Sequence, residues 1–304
     1  MQESPLSASP YEILGVGVHA DDDELRRAYR RRLRETHPDI GGSADAFRAV
    51  QEAWQRIGTP EARAAYDSGR PEPTADDGYA PHHPGADRPH GDTRPRARSY
   101  GHPGGWRRER YLAMIREWVG RGTEIDDPYD PALVRSAPYD IRHTLADALA
   151  EEATARSLAG LGIGYTIWHD VAALDGGKID HIVLGPTGLF AVQSEDFGGA
   201  VTLRRGEIVG AGVEGRPLHE LETRARRLGH AFGVTFAGMI VVLPDDALDQ
   251  SVVEAGRLHG AALLVVQSSV LVHQLRTGVR DVPRAAGVDL FEVRTRLQQG
   301  VRFV

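Results

Sequence analysis

The sequence predicts a multidomain protein: an all-α module, then a larger α/β domain, separated by a disordered linker. Three observations carry this. Apolar residues recur at three-to-four spacing in the N-terminal stretch. Residues Arg70–Gly105 then hold seven prolines, six glycines and four histidines, with no Leu, Ile, Val, Phe or Met. The remainder alternates short apolar runs with amphipathic stretches. The 304 residues are also about twice the length of a typical domain. The boundaries read as 1–69 for the helical module, 70–105 for a flexible Pro/Gly/His-rich linker, 106–138 for an amphipathic helix and connector, and 139–304 for the α/β domain.

In the first module, Pro10–Leu14 suggests a short helix. Asp21-Asp22-Asp23-Glu24 places carboxylates where a helix dipole favours them, and Leu25, Ala28, Tyr29 and Leu33 form the apolar face of the helix that follows. It must stop by Thr36, because Pro38 disfavours helical geometry at His37. Ser43 can cap a second long helix with Ala46, Phe47, Val50, Ala53, Trp54 and Ile57 inside, and Thr59-Pro60 opens a last short one through Tyr66.

Residues 70–105 cannot bury enough apolar surface to offset their ordering entropy, and His82, His83, His90 and His102 read as solvated linker residues. Trp106–Val119 is amphipathic, with Tyr111, Ile115 and Trp118 on one side and Arg107, Arg108, Arg110 and Arg116 around them; it is expected to dock on the domain that follows. Ile141–Leu161 predicts a helix, and Tyr165–Val171, Ile179–Leu184, Leu189–Gln193 and Val201–Val209 predict strands. Pro217–Phe232 predicts a helix, Gly238–Leu243 and Leu263–Val266 buried strands, and Ser268–Leu275 and Leu290–Leu297 closing helices.

Composition narrows the chemistry. With no cysteine, disulfides, thiolate metal sites and cysteine nucleophiles are excluded. A net charge of -7 means that any nucleic-acid site is local. No apolar stretch approaches the ~20 residues of a membrane span and Met1–Pro10 has no secretory pattern, so the expectation is a cytoplasmic protein with no membrane insertion. Lys178 is the sole lysine, so chemistry that needs one has a single candidate.

Pro10-Tyr11-Glu12-Ile13-Leu14-Gly15-Val16, Ala28-Tyr29-Arg30, His37-Pro38-Asp39 between the two long helices, and Ala65-Tyr66-Asp67 together resemble a J-domain of DnaJ-like co-chaperones over the whole module. The resemblance implies docking on a DnaK-type heat-shock ATPase and stimulation of its ATP hydrolysis. The residues agree: Pro38 restricts the backbone that presents His37 and Asp39, and Asp39 can accept a charge-assisted bond from a partner arginine. Arg26, Arg27, Arg30, Arg31, Arg32 and Arg34 against Glu35 give a local +5 suited to steering toward an acidic surface. Arg32, Arg34 and Thr36 depart from the apolar or aromatic residues more usual in the family.

A second resemblance covers Glu151 to Val201. Glu151, Ile179-Asp180-His181, Gly185-Pro186-Thr187-Gly188-Leu189-Phe190 and Val192-Gln193-Ser194-Glu195 resemble the NERD (nuclease-related) domain and, more distantly, the restriction-endonuclease-like superfamily. In active members two carboxylates hold Mg²⁺ or Mn²⁺ and a lysine attends the attacking water. Here Asp180 stands in place, but Gln193 replaces a carboxylate and Glu195 replaces the lysine. Lys178, two residues before Asp180, is expected to enter from the far side of the motif, and Arg204 and Arg205 could bind phosphate without chemistry. Two readings stay open: a degenerate site kept for binding, or a lysine-free metal site built from Asp180 and Glu195 with Glu151 or Asp196. The first implies no enzyme and no cofactor. The whole chain then reads as a co-chaperone whose C-terminal domain recruits or is recruited; the alternatives are a tethered metal-dependent nuclease and a non-catalytic nucleic-acid adaptor.

Overall fold

A computed structural model describes residues 4–6, 8–38, 44–67, 96–120, 122–258, 260–279 and 289–304. The elements, in chain order, are α1 (Pro10–Leu14), α2 (Asp22–Glu35), α3 (Ala44–Ile57), α4 (Pro60–Asp67), β1 (Arg98–Tyr100), α5 (Gly105–Val119), α6 (Pro131–Ser136), α7 (Tyr139–Leu158), β2 (Thr166–Ala172), β3 (Lys178–Gly185), β4 (Gly188–Ser194), β5 (Thr202–Arg204), β6 (Glu207–Val209), α8 (Pro217–Phe232), β7 (Gly238–Leu243), β8 (Val252–Leu258), β9 (Ala261–Gln267), α9 (Leu271–Thr277) and α10 (Leu290–Gly300). Two compact units result. Among the described residues no helix is long and apolar enough to cross a membrane.

The N-terminal unit is helical. Ser9 and Glu12 form a reciprocal capping box on α1, and Asp21 caps α2 by accepting the Glu24 N–H. Tyr11, Leu14, Leu25, Val50, Ala53 and Ile57 form its core, with Tyr29 stacked on Trp54 at 4.4 Å. Two of the family departures serve packing here: Arg32 donates from Nε to the Ile13 carbonyl at 3.1 Å, and the Thr36 hydroxyl donates to the Arg32 carbonyl at 2.8 Å.

The C-terminal unit is built on one seven-stranded mixed sheet of order β1-β2-β3-β4-β7-β9-β8. Strands β2, β3 and β4 form an antiparallel meander, while β4, β7 and β9 run parallel. Apolar side chains on both faces of the sheet build two separate cores. Leu218, Leu221, Ala225 and Leu228 of α8 pack in one, and Leu158 of α7 with Leu271 and Leu275 of α9 pack in the other.

Several expectations are corrected. The segment predicted as linker to Gly105 yields to structure earlier, at Arg96, which bridges Gly162; β1 then pairs parallel to β2. Residues 68–95 lie outside the described residues, with His82, His83 and His90 among them; His102 lies just before α5. The glycines that read as linker act here as close contacts. A Cβ on Gly101 would lie 2.2 Å from the His169 carbonyl oxygen, and one on Gly104, at φ 75, would lie 2.9 Å from Glu152 Cγ. Val201–Val209 is a hairpin of two short strands, because Arg205 and Gly206 turn the chain at φ 52 and 75. Edge strand β8 has no sequence expectation, being short of alternation and broken by a bulge between Glu254 and Gly256.

Candidate functional site

In the helical unit, α2 ends where Thr36 donates its N–H to the Arg32 carbonyl, and the His37 N–H reaches the Arg34 carbonyl at 3.3 Å. The half-buried His37 ring meets Phe47 edge-on at 5.1 Å, and Pro38 is exposed. Asp39 lies outside the described residues. Arg26, Arg27, Arg30 and Arg31 are all exposed on α2. Arg26 lies 3.6 Å from Asp23 and Arg31 4.0 Å from Glu35, surface pairs of roughly 0–1 kcal/mol that leave the helix face basic.

In the C-terminal unit the charged side chains converge from five elements. Helix α7 contributes His143, Asp147 and Glu151, whose spacing of four aligns them on one stripe. Strand β3 contributes Lys178 and Asp180, two apart and so on one face, and Gln193 and Glu195 sit likewise at the end of β4. Asp170 projects from β2 at φ 53, a rare conformation for a non-glycine residue, and interrupts the β2–β3 pairing opposite Asp180. Helix α5, secured by a bidentate Arg108–Glu152 pair at 2.6 and 2.9 Å, brings Arg107.

Lys178 occupies the centre, which corrects the expectation that it enters from the far side. Its ammonium donates to Glu151 and Asp170 and lies 3.0 Å from Asp180 Oδ1, at an angle that makes an ion pair without a hydrogen bond. The Ser194 N–H donates to Asp180 Oδ2 at 2.8 Å. Arg107 pairs with Asp147 and stands 3.6 Å from Glu151, 3.8 Å from Asp180 and 3.5 Å from Glu195. Thus Glu151 and Asp180 come together around Lys178, whereas Glu195 joins Asp147 and His143 in a separate group; Arg107 bridges the two. Gln193 donates from Nε2 to Glu195 at 3.1 Å, and its buried Oε1 has no hydrogen-bond partner among the described residues. Asp196 uses its backbone N–H toward Asp147 and its carboxylate toward the Gly198 N–H.

Burial is the largest influence on each titrating group. It pushes Glu151 up to about 9, assisted by the Asp180 charge, and raises Asp147 well above the usual carboxylate range, assisted by Glu195. For Asp180 burial is outweighed by Lys178 and Arg107, which hold it below its ordinary value. For Lys178 burial is outweighed by Asp180 and Glu151, which raise it. At neutral pH the centre therefore holds an ionised Asp180 against two fixed cations.

A buried hydroxyl–imidazole chain lies beside it. Ser99 Oγ and His169 Nε2 are 2.8 Å apart, the His169 and His181 Nδ1 atoms 2.7 Å, and Ser194 Oγ donates to Thr154 Oγ1 at 2.9 Å. Burial lowers His169 to about 4 and His181 well below its ordinary value, so both rings are neutral at pH 7.

The residues present do not fit a divalent ion at Glu151, Asp170 and Asp180. Their oxygens lie within 4.8 Å of one another, but the Lys178 ammonium already lies among them. Sequence reasoning found Glu151, Asp180, Gln193 and Glu195, and missed Asp147, His143, Asp170 and the place of Arg107. The four-residue spacing on α7 was the one available signal; for Asp170 and Arg107, distant in sequence from their partners, there was none.

Comparison with known proteins accords with this layout. Residues 9–67 match the DnaJ domain and residues 146–243 match the nuclease-related domain. The chain is 48% identical over 60 residues to the chaperone protein DnaJ of Brevibacillus choshinensis, covering 19% of this chain and 16% of that protein. It is 55% identical over 58 residues to the chaperone protein DnaJ of Tropheryma whipplei (strain Twist), covering 19% and 17%. It spans about a sixth of the length of these curated relatives. The chain carries an N-terminal DnaJ domain and a nuclease-related domain.

Proposed function

We propose that this chain is a J-domain co-chaperone that docks on a DnaK-type ATPase through His37-Pro38-Asp39 and the basic face of α2, and stimulates ATP hydrolysis. The observation that carries this is the run of exposed Arg26, Arg27, Arg30 and Arg31 leading along one helix into an exposed Pro38. A fixed basic face raises the rate of encounter with an acidic surface, and a proline-restricted loop loses little entropy on binding. Replacing Asp39 by Asn keeps size and removes charge, so folding survives and stimulation is lost. A single-turnover ATPase assay in which Asp39→Asn stimulates like wild type refutes the reading.

In the same proposal the C-terminal domain is a non-hydrolytic recruiting module, because the lysine and the carboxylates that would serve a metal bind one another. One observation favours the second reading, a metal-dependent nuclease: a lysine stands 3.0 Å from Asp180 after all. The two separate on plasmid DNA with Mg²⁺ or Mn²⁺. Cleavage by the wild type that stops on Asp180→Ala establishes the nuclease; intact plasmid supports the recruiting module. A gel shift at several salt concentrations tests whether that module takes nucleic acid.

A further inference from the structure

The two charged groups of the C-terminal unit differ in access. Glu151, Asp170 and Asp180 are each at most 1% exposed and closed by Lys178. His143, Asp147 and Glu195 instead line a cavity of about 360 Å³, whose wall also includes Arg107, Lys178 and Gln193. Each offers one ligand atom within 4.8 Å of the others.

We propose that His143, Asp147 and Glu195 bind one divalent transition-metal cation, best Zn²⁺, with the remaining coordination positions facing this cavity. The geometry is close to what such an ion needs. His143 Nε2 and Asp147 Oδ1 are 3.6 Å apart, too long for a hydrogen bond. Two ligands at about 2.1 Å from a tetrahedral ion are roughly 3.4 Å apart. His143 Nε2 is buried and has no hydrogen-bond partner among the described residues, while its ring is held against Tyr139 at 5.4 Å. Arg107 takes Oδ2 of Asp147 and stands 3.5 Å from Glu195 Oε1, while Asp147 Oδ1, which also accepts the Asp196 N–H at 3.3 Å, lies toward the imidazole. One imidazole and two carboxylates suit a borderline cation better than Mg²⁺, which prefers oxygen alone.

Gln193 supplies an independent observation. Gln193 is 4% exposed and lines the cavity; its Nε2 donates to Glu195, and its buried Oε1 has no hydrogen-bond partner among the described residues. A buried amide oxygen in that state has given up its hydration without compensation. Water on a bound cation is a strong donor placed at the same cavity, and satisfies it. The residue that departs from the nuclease pattern thereby acquires a use as a hydrogen-bond acceptor for the ion's water.

The experiment is Zn²⁺ titration of the full chain against a chromophoric chelator, in wild type, His143→Ala and Asp180→Asn. Residues outside the site, including the histidines of 70–105, contribute equally to all three. The wild type is expected to hold one equivalent more than His143→Ala, and Asp180→Asn to match the wild type in stoichiometry. Gln193→Leu should retain the equivalent with affinity lowered about tenfold or more, as for other outer-shell partners. Thermal unfolding without zinc shows whether His143→Ala is folded, and Glu195→Gln replaces it if not. Equal zinc content in wild type and a folded His143→Ala or Glu195→Gln overturns the proposal, as does a loss that follows Asp180 alone.

Discussion

Replacement of Lys178 by Met removes one ammonium while keeping an unbranched side chain that is shorter by one atom. Lys178 is 6% exposed, and Glu151, Asp170 and Asp180 around it are each at most 1% exposed, so the carboxylates lose their cation inside a buried site. Removal of one partner from a buried ion pair costs about 3–5 kcal/mol. The lower end applies here, because Arg107 still stands 3.6 Å from Glu151 and 3.8 Å from Asp180, and Glu151 can keep its proton. For a domain of about 200 residues, roughly 3 kcal/mol is a fall in Tm of about 6–12 °C. Near-ultraviolet circular dichroism with heating reads it through Trp168, which is 1% exposed in the C-terminal core. Asp170→Asn in the Lys178→Met background should then restore stability, since it removes the charge left uncompensated, although the same change alone destabilises; coupling of about 0.5–3 kcal/mol is expected. A Lys178→Met protein within about 2 °C of wild type, below the shift of 1 kcal/mol, refutes the reasoning. So does an Asp170→Asn change that costs as much in the variant as in the wild type.

Two further outcomes follow from the same geometry. Glu151 holds its proton to about pH 9 in the fold, against an ordinary value of 4.5, so wild-type stability should fall as pH rises between these values; Glu151→Gln should gain on the wild type across that window, and a constant difference in Tm from pH 5 to 9 counts against it. Gly104→Ala should lower the Tm of the C-terminal unit by the equivalent of about 1–3 kcal/mol, given φ 75 and a Cβ 2.9 Å from Glu152 Cγ, and an unchanged Tm would show that α5 does not need this close approach.

The class of each unit was legible because its signals are local. The faces of α2 and α3 repeat within one helix, and the runs that became β3, β4 and β7 are each buried throughout. What escaped was nonlocal. Gly101 and Gly104 count toward a linker in composition, yet their lack of a Cβ lets the chain pass against β2 and α7, which no single segment reveals. Likewise the two-residue spacing gives Lys178 and Asp180 a shared face, but the destination of the ammonium depends on Glu151, 27 residues before it, and on a backbone distortion at Asp170. Arg107 meets Glu195 across 88 residues, and its helix advertised only that it was basic on one side.

The burial of Lys178 has a consequence for protein chemistry. Amine-directed acylating reagents meet one lysine in this chain, and it is 6% exposed with its nitrogen bonded to carboxylates. The ammonium must first leave those partners and lose its proton before it can attack such a reagent. The folded protein should therefore resist modification at lysine, and the rate at which Lys178 becomes labelled measures how often the centre of the C-terminal unit opens. One residue thus serves as a built-in reporter, read by mass alone, for the breathing of the domain that surrounds it.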